Sequence, residues 1–335
     1  MSVDLIRSVR AGEWWDYKLV PLLTAFYATV ALLERPIASL WPAALILLLA
    51  LVPGAAFVSL LNDLTDVEED RAAGKANRMA GRPLAFRIAA IVVPVAAGIL
   101  FLILWRDDPL LTAAYLAAWI AFALYSLPPV RLKARGFPGV LADAAGAHLF
   151  PTLVAMLLAF RAAGAPIDPV WIAAGAAWAF GYGLRGILWH QLSDRDNDRA
   201  AGVRTFAQRH PRRLAARVGA WFAFPLELAG LAVLIWKLGS PLPFLFLALS
   251  LHLVWLRVWR WSMRAVLVEP RPKYLILMHE YYDVFLPLAI LLDSAARFPI
   301  DWLVLAAHLL AFHRRPLETV EDVRTLWRYR KYPPS

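Results

Sequence analysis

Long apolar runs follow one another down this chain, and they limit its fold more than any other feature. They fall at about 17–33, 39–61, 85–105, 109–127, 139–160, 168–190, 214–236, 241–261 and 274–292, with a shorter run at 299–313. A bilayer core of about 30 Å is crossed by ~20 apolar residues in a helix. Lipid offers backbone N–H and C=O groups no partners, so only helices or closed barrels can span it. Runs of this length without strict alternation select helices. The expected fold class is therefore all-α. It is a polytopic transmembrane helical bundle of nine core helices plus a short C-terminal hydrophobic helix at 299–313. Composition agrees: 61% of the 335 residues are hydrophobic, against about 45–50% in soluble domains. No shift in composition marks a second domain. Residues 1–313 read as one transmembrane unit and 314–335 as a basic polar tail. Residues 1–16 carry Asp4, Arg7, Arg10, Glu13 and Asp16, and they lack the apolar core and cleavage site of a signal peptide.

The net charge of +10 would suggest nucleic acid in a soluble protein. In a membrane protein it marks cytoplasmic loops, where Lys and Arg gather. The loops near 62–84, 128–138, 191–213 and 257–273 are long or basic, whereas those between hold single cations such as Arg35, Arg106, Arg161 and Lys237. The asymmetry places the basic loops and the N-terminus in the cytoplasm, and no nucleic-acid partner is expected. The basic tail favours a cytoplasmic C-terminus, which requires an even number of crossings: either 299–313 crosses, or it is a re-entrant or interfacial helix and the tail lies outside. With no cysteine in the chain, disulfides, thiolate metal sites and thiol nucleophiles are excluded. Most of the 15 Trp residues fall near span ends, as an aromatic belt does.

Two acidic clusters stand out at the ends of apolar runs. The first reads Asn62-Asp63-Leu64-Thr65-Asp66-Val67-Glu68-Glu69-Asp70. On one continuous helix, Asn62, Asp66 and Asp70 would share a face, with Asp63 on the neighbouring row. The second reads Asp194-Arg195-Asp196-Asn197-Asp198, followed by Gly202, Arg204 and Thr205. Gathered carboxylates repel one another. A hard cation is the usual reason to collect them, since Mg²⁺ takes oxygen ligands and bridges carboxylate to phosphate. The loop topology puts both clusters on one side of the membrane, where they could hold Mg²⁺ ions around a diphosphate. Arg78, Arg82 and Lys133 could then steady the charge that develops on a leaving diphosphate. Read without that site, they are ordinary positive-inside residues, as Arg131 is expected to be.

These motifs together resemble the UbiA superfamily of intramembrane prenyltransferases, over about residues 15–295. Asn62 to Asp70 matches that family's NDxxDxxxD motif, and Arg78 with Arg82-Pro83-Leu84 fits the segment after it. Asp194, Asp198, Gly202, Arg204 and Thr205 match the second motif. Tyr125-Ser126, Pro129 and Leu132-Lys133 match the loop between the fourth and fifth helices. The Arg-Pro common before the family's first helix is absent, Lys18 and Pro21 standing roughly there. His190 and Gln191 occupy the place where quinone-type members often carry Asn. The resemblance implies a bundle around a central cavity. Asn62, Asp66, Asp70, Asp194 and Asp198 would hold Mg²⁺, and Asp63, Arg78, Arg82, Tyr125, Lys133, Gln191 and Arg204 would contact a prenyl diphosphate. An allylic cation would form in a dry, aromatic-lined space, and a lipophilic or aromatic acceptor would attack it. A terpene cyclase of the same superfamily is the alternative. A transporter or ion carrier fits less well, because its site would lie near the bilayer midplane.

Ionisable residues inside spans are functional by default. His279 and Asp283, four apart in Met278-His279-Glu280-Tyr281-Tyr282-Asp283, could orient an acceptor or take its proton. Asp143, His148, Arg185 and Glu227 raise the same question less sharply. The topology is directly testable, because single cysteines can be placed in a chain that has none. Cysteines in 62–84, 128–138 and 191–213 should react with impermeant maleimide only from the cytoplasmic face. Labelling of any of these loops from the other face would overturn the orientation.

Overall fold

The computed structural model describes residues 11–72 and 74–328. The N-terminal charges weighed against a signal peptide at 1–10, and 329–335 of the basic tail, lie outside the described residues. In chain order the long helices are α1 (residues 11–32), α2 (Trp41–Thr65), α3 (Leu84–Leu104), α4 (Pro109–Ser126), α5 (Phe137–Ala163), α6 (Pro169–Ser193), α7 (Arg212–Leu238), α8 (Leu242–Trp261), α9 (residues 279–297), α10 (Trp302–Ala311) and α11 (Arg314–Arg328). Among the described residues, six are long and apolar enough to cross a membrane: α2, α3, α4, α5, α7 and α8. Helices α1, α6 and α9 pack among them, and the protein is an all-α polytopic bundle. The run expected as a helix from 274 begins differently. Tyr274–Ile276 pairs in parallel with Arg264–Val266, and the helix starts at 279.

Four helices share a device that shapes the interior. Helical turns of the wide i→i+5 type occupy Trp15–Leu19, Ala145–Leu149, Gly219–Ala223 and Tyr281–Phe285. Each is followed, two residues later, by a proline: Pro21, Pro151, Pro225 and Pro287. Proline has no N–H and its ring clashes with the carbonyl four residues back. A wide turn just before it absorbs that clash without leaving the helix. In α1 and α5 these turns carry Tyr17, Lys18 and His148, which line the main cavity.

Helices α6 and α7 approach closely because glycines allow it. A Cβ at Gly230 would lie 2.4 Å from Ala174 O and Trp178 N, and one at Gly181 would lie 2.5 Å from Glu227 N. Small residues drive helix association where lipid supplies no hydrophobic force. The same seam holds a fully buried ion pair. Arg185 Nε and Nη2 donate to Glu227 at 2.7 and 2.8 Å, Tyr282 Oη donates to Glu227 at 2.7 Å, and Arg185 Nη1 reaches Leu267 O at 2.9 Å. Arg185 and Glu227 thus tie α6, α7 and α9 together, a structural role that needs no substrate.

Helix α10 runs back along α1. At one end Asp301 accepts from Ile37 N at 2.9 Å and Ala38 N at 2.7 Å, just beyond α1. At the other, Trp15 Nε1 donates to Ala311 O at 2.9 Å. The stretch read as a tail is helical over Arg314–Arg328. Its charges pair along the helix, as Arg314 does with Glu318 at 3.1 Å. Gly230→Ala should destabilise by about 1–3 kcal/mol, the usual range for overpacking. It should read as a lower melting temperature in detergent. Gly54, with nothing within 4 Å of its Cβ position, should tolerate Ala; equal melting of the two variants would contradict this seam.

Candidate active site

Both acidic segments have the same local build. Helix α2 ends at Thr65, Asp66 leaves the helix with φ −112° and ψ 13°, and a short helix resumes over Val67–Ala72. Helix α6 ends at Ser193, Asp194 takes φ −90° and ψ 6°, and a short helix covers Arg195–Ala200. Asp70 N then reaches Asp66 O, and Asp198 N reaches Asp194 O, each at 2.8 Å. Each segment closes on a left-handed glycine, Gly74 at φ 66° and Gly202 at φ 70°. Such a conformation carries little steric cost without a Cβ. The single continuous acidic helix expected for 62–70 is therefore corrected to two helices broken at Asp66. Competing local hydrogen bonds of short polar side chains favour such breaks.

The break sorts the acidic residues. Asn62 stays on α2, one turn before Asp66, and lines the cavity; His190 does the same before Asp194. Asp63 turns inward and is 1% exposed, with Arg78 Nη1 3.7 Å from its Oδ2. These two, expected to contact substrate, pair with each other. Asp66 is held by Lys133 and by Arg131 Nη2 at 3.0 Å. Arg131 also reaches Glu69 at 2.7 Å. Asn77 donates to Asp63 O at 2.7 Å and to Asp70 Oδ2 at 2.8 Å. Its own oxygen accepts from Met79 N at 2.9 Å and Ala80 N at 3.1 Å. Asp198 accepts from Thr205 Oγ1 at 3.1 Å. Across the mouth, Lys75 Nζ from the first segment lies 3.1 Å from Asp194 Oδ2 of the second. The two motifs therefore face one opening.

The loop between α4 and α5 joins them. Ser126 Oγ donates to Asn62 Oδ1 at 2.5 Å, and Gly136 bridges Thr205. Arg131 itself sits at φ 37°, a region a non-glycine residue rarely adopts and one that clusters at functional sites. Burial pushes the Lys133 ammonium below its ordinary pKa, against the pull of Asp66. Burial pushes the Asp198 carboxyl up, against the Thr205 hydroxyl.

Below the mouth lies a cavity of about 1110 Å³, with Asn62, Tyr125, Asp143, His148, His190 and His279 in its wall. A smaller apolar cavity of about 100 Å³ adjoins it through Trp14, Lys18, Val58, Ser59 and Phe122. His279 packs edge-on to Tyr182 with ring centres 5.2 Å apart. Asp283 is 3% exposed, with Arg315 Nε 3.9 Å away. Other sequence candidates fall elsewhere. Arg82 lies over the Phe86 ring at 5.1 Å and pairs with no carboxylate among the described residues. Arg204 is exposed. Gln191 is buried and accepts from Ala207 N at 3.3 Å, holding the second loop. Three residues of the site carry no distinguishing sequence signal. Arg131 reads as an ordinary loop cation, and Lys75 and Asn77 have no pattern beyond nearness to Asp70.

The donors collected at the mouth are carboxylate and amide oxygens, which suit a hard cation. Among the described residues no three His, Asp or Glu side chains converge into a ready-made cage. Mg²⁺ needs none, since it is bound by one or two carboxylates and completed by phosphate oxygens and water.

A bundle of apolar helices whose two acidic helix ends share one mouth is that of an integral membrane protein with a polar site at the ends of its helices. The model of the UbiA prenyltransferase family matches residues 21–269, and the chain belongs to that family as an integral membrane protein. The fold is similar to a UbiA homologue from Archaeoglobus fulgidus solved bound to GPP and Mg²⁺. That pair has 18% identity and a TM-score of 0.55, covering 88% of this chain and 98% of the other. The same homologue bound to DMAPP and Mg²⁺ gives 17% identity, a TM-score of 0.55 and the same coverage. No curated protein matched the sequence.

Asn77 makes four hydrogen bonds that fold the first motif's loop. Asn77→Ala should raise hydrogen exchange throughout 74–83, while helices α6 and α7 keep their protection. Unchanged exchange in that loop would remove Asn77 from this role.

Proposed function

We propose that this chain is an intramembrane prenyltransferase. It binds an isoprenoid diphosphate with Mg²⁺ and transfers the prenyl group to a separate acceptor, releasing diphosphate. The observation that carries this reading is the Lys75–Asp194 contact at 3.1 Å, which joins the two acidic segments. The family and the GPP- and DMAPP-bound homologue support it. Asn62, Asp66, Asp70, Asp194 and Asp198 would hold the metal. When bound by these residues, Mg²⁺ would supply positive charge to balance the diphosphate. Lys133 and Arg131, now on Asp66, stand ready to turn to the departing diphosphate. The apolar cavity takes the prenyl tail and keeps water from the allylic carbon. The acceptor's nucleophile forms the new bond and gives up its proton to a group in the wall of the larger cavity. Asp143, His148, His190 and His279 in that wall favour a separate acceptor with a polar head over a chain that cyclises on itself. The site and the N-terminus face the cytoplasm.

The test is a lipid-extract assay. Labelled prenyl diphosphates are offered with candidate acceptors, with and without Mg²⁺, and products are identified by mass. Turnover should require Mg²⁺, with Mn²⁺ substituting. Asp66→Ala and Asp198→Ala should each abolish it in folded, membrane-inserted protein. Lys133→Ala and Arg131→Ala should each lower kcat by about ten- to a thousandfold, the scale of one preorganised electrostatic contact. The KM should change less. Wild-type rates in either aspartate variant would remove the two-motif site. Hydrocarbon or terpenol formed without acceptor would establish the cyclase instead.

A further inference from the structure

Helix α11 divides its surface between two surroundings. Arg315, Glu318, Thr319 and Asp322, spaced i, i+3, i+4 and i+7, share one face and line the large cavity. That face is tied down. Asp322 Oδ2 lies 2.8 Å from Arg257 Nη2, Thr319 Oγ1 donates to Glu280 Oε1 at 2.6 Å, and Arg315 covers the Tyr17 ring at 5.2 Å. Leu326 is buried on the same side. The adjoining face carries Leu317, Val320, Val323 and Trp327, exposed by 60, 43, 48 and 67%.

In water an amphipathic helix turns its apolar stripe toward the protein. Here the polar face points in and the apolar stripe points out. An interfacial helix has that arrangement when its outer neighbour is lipid. Two further observations identify the neighbour. Arg257, which holds Asp322, sits in the last turns of α8, between Trp255, Val258 and Trp259, which are exposed on a membrane-spanning helix. Helix α11 is therefore fastened at the end of a membrane-spanning helix that exposes apolar side chains in its last turns. Arg314, Arg324 and Arg328 are exposed on the same helix, where they suit anionic headgroups.

We propose that α11 is a membrane-interface helix. It lies in the headgroup layer with Leu317, Val320, Val323 and Trp327 toward the acyl chains, and its adjoining polar face walls the large cavity. The bilayer then holds one wall of the cavity in place. This inference needs the protein to be in a membrane but not any particular reaction.

The test uses nitroxides on Val320→Cys, Val323→Cys and Glu321→Cys, one at a time in the full chain. The variants are reconstituted in phosphatidylcholine vesicles with a minor share of phosphatidylglycerol. Collision with oxygen reports lipid and collision with a water-soluble nickel complex reports solvent. The ratio of oxygen to nickel collision should be severalfold higher at 320 and 323 than at 321. Three equally nickel-accessible positions would overturn the proposal. So would dipolar broadening at 320 and 323, which would mean that a second copy covers the stripe.

Discussion

An ionised carboxylate is costly in hydrocarbon and cheap at its edge, and the site depends on that difference. Both acidic segments begin where an apolar helix stops, at Thr65 and at Ser193. Each helix breaks at an aspartate and leaves a polar residue, Asn62 or His190, in the cavity wall one turn before the break. Repulsion among the gathered carboxylates is offset by cations from other segments: Lys75, Arg131 and Lys133. Those contacts fasten three loops, far apart in the chain, into one mouth.

The interior follows from a second constraint. Backbone groups in lipid must be paired within the protein, so a cavity cannot be made by unwinding helices at will. Wide turns ahead of Pro21 and Pro151 place Tyr17, Lys18 and His148 in the cavity wall while keeping it helical. Close contact at Gly181 and Gly230, with the buried Arg185–Glu227 pair, holds α6 and α7 together at the other side. The bundle is tight where it is anchored and open where the substrate would lie.

Polar groups from eight helices meet in the large cavity: α1, α2, α4, α5, α6, α8, α9 and α11 each contribute one or more. The last of these lies beyond the residues matched by the family model, which ends at 269. Part of the chamber is thus built by a segment that the family pattern does not describe.

The apolar runs determined the helical fold class from sequence alone, because a segment of about 20 apolar residues has few other stable environments. The two aspartate motifs were legible for a similar reason, since their spacing is local. What sequence could not supply was the partner of each residue. Asp63 and Asp66 are three apart, yet one is buried against Arg78 and the other faces Lys133 and Arg131. Arg131 looked like any loop cation until Asp66 and Glu69 met it across more than sixty residues of chain. The charges of 314–328 read as a solvated tail, because an amphipathic pattern does not say which face meets protein. Periodicity and composition are properties of a segment. Pairing between segments is decided by packing, and only the tertiary structure specifies it.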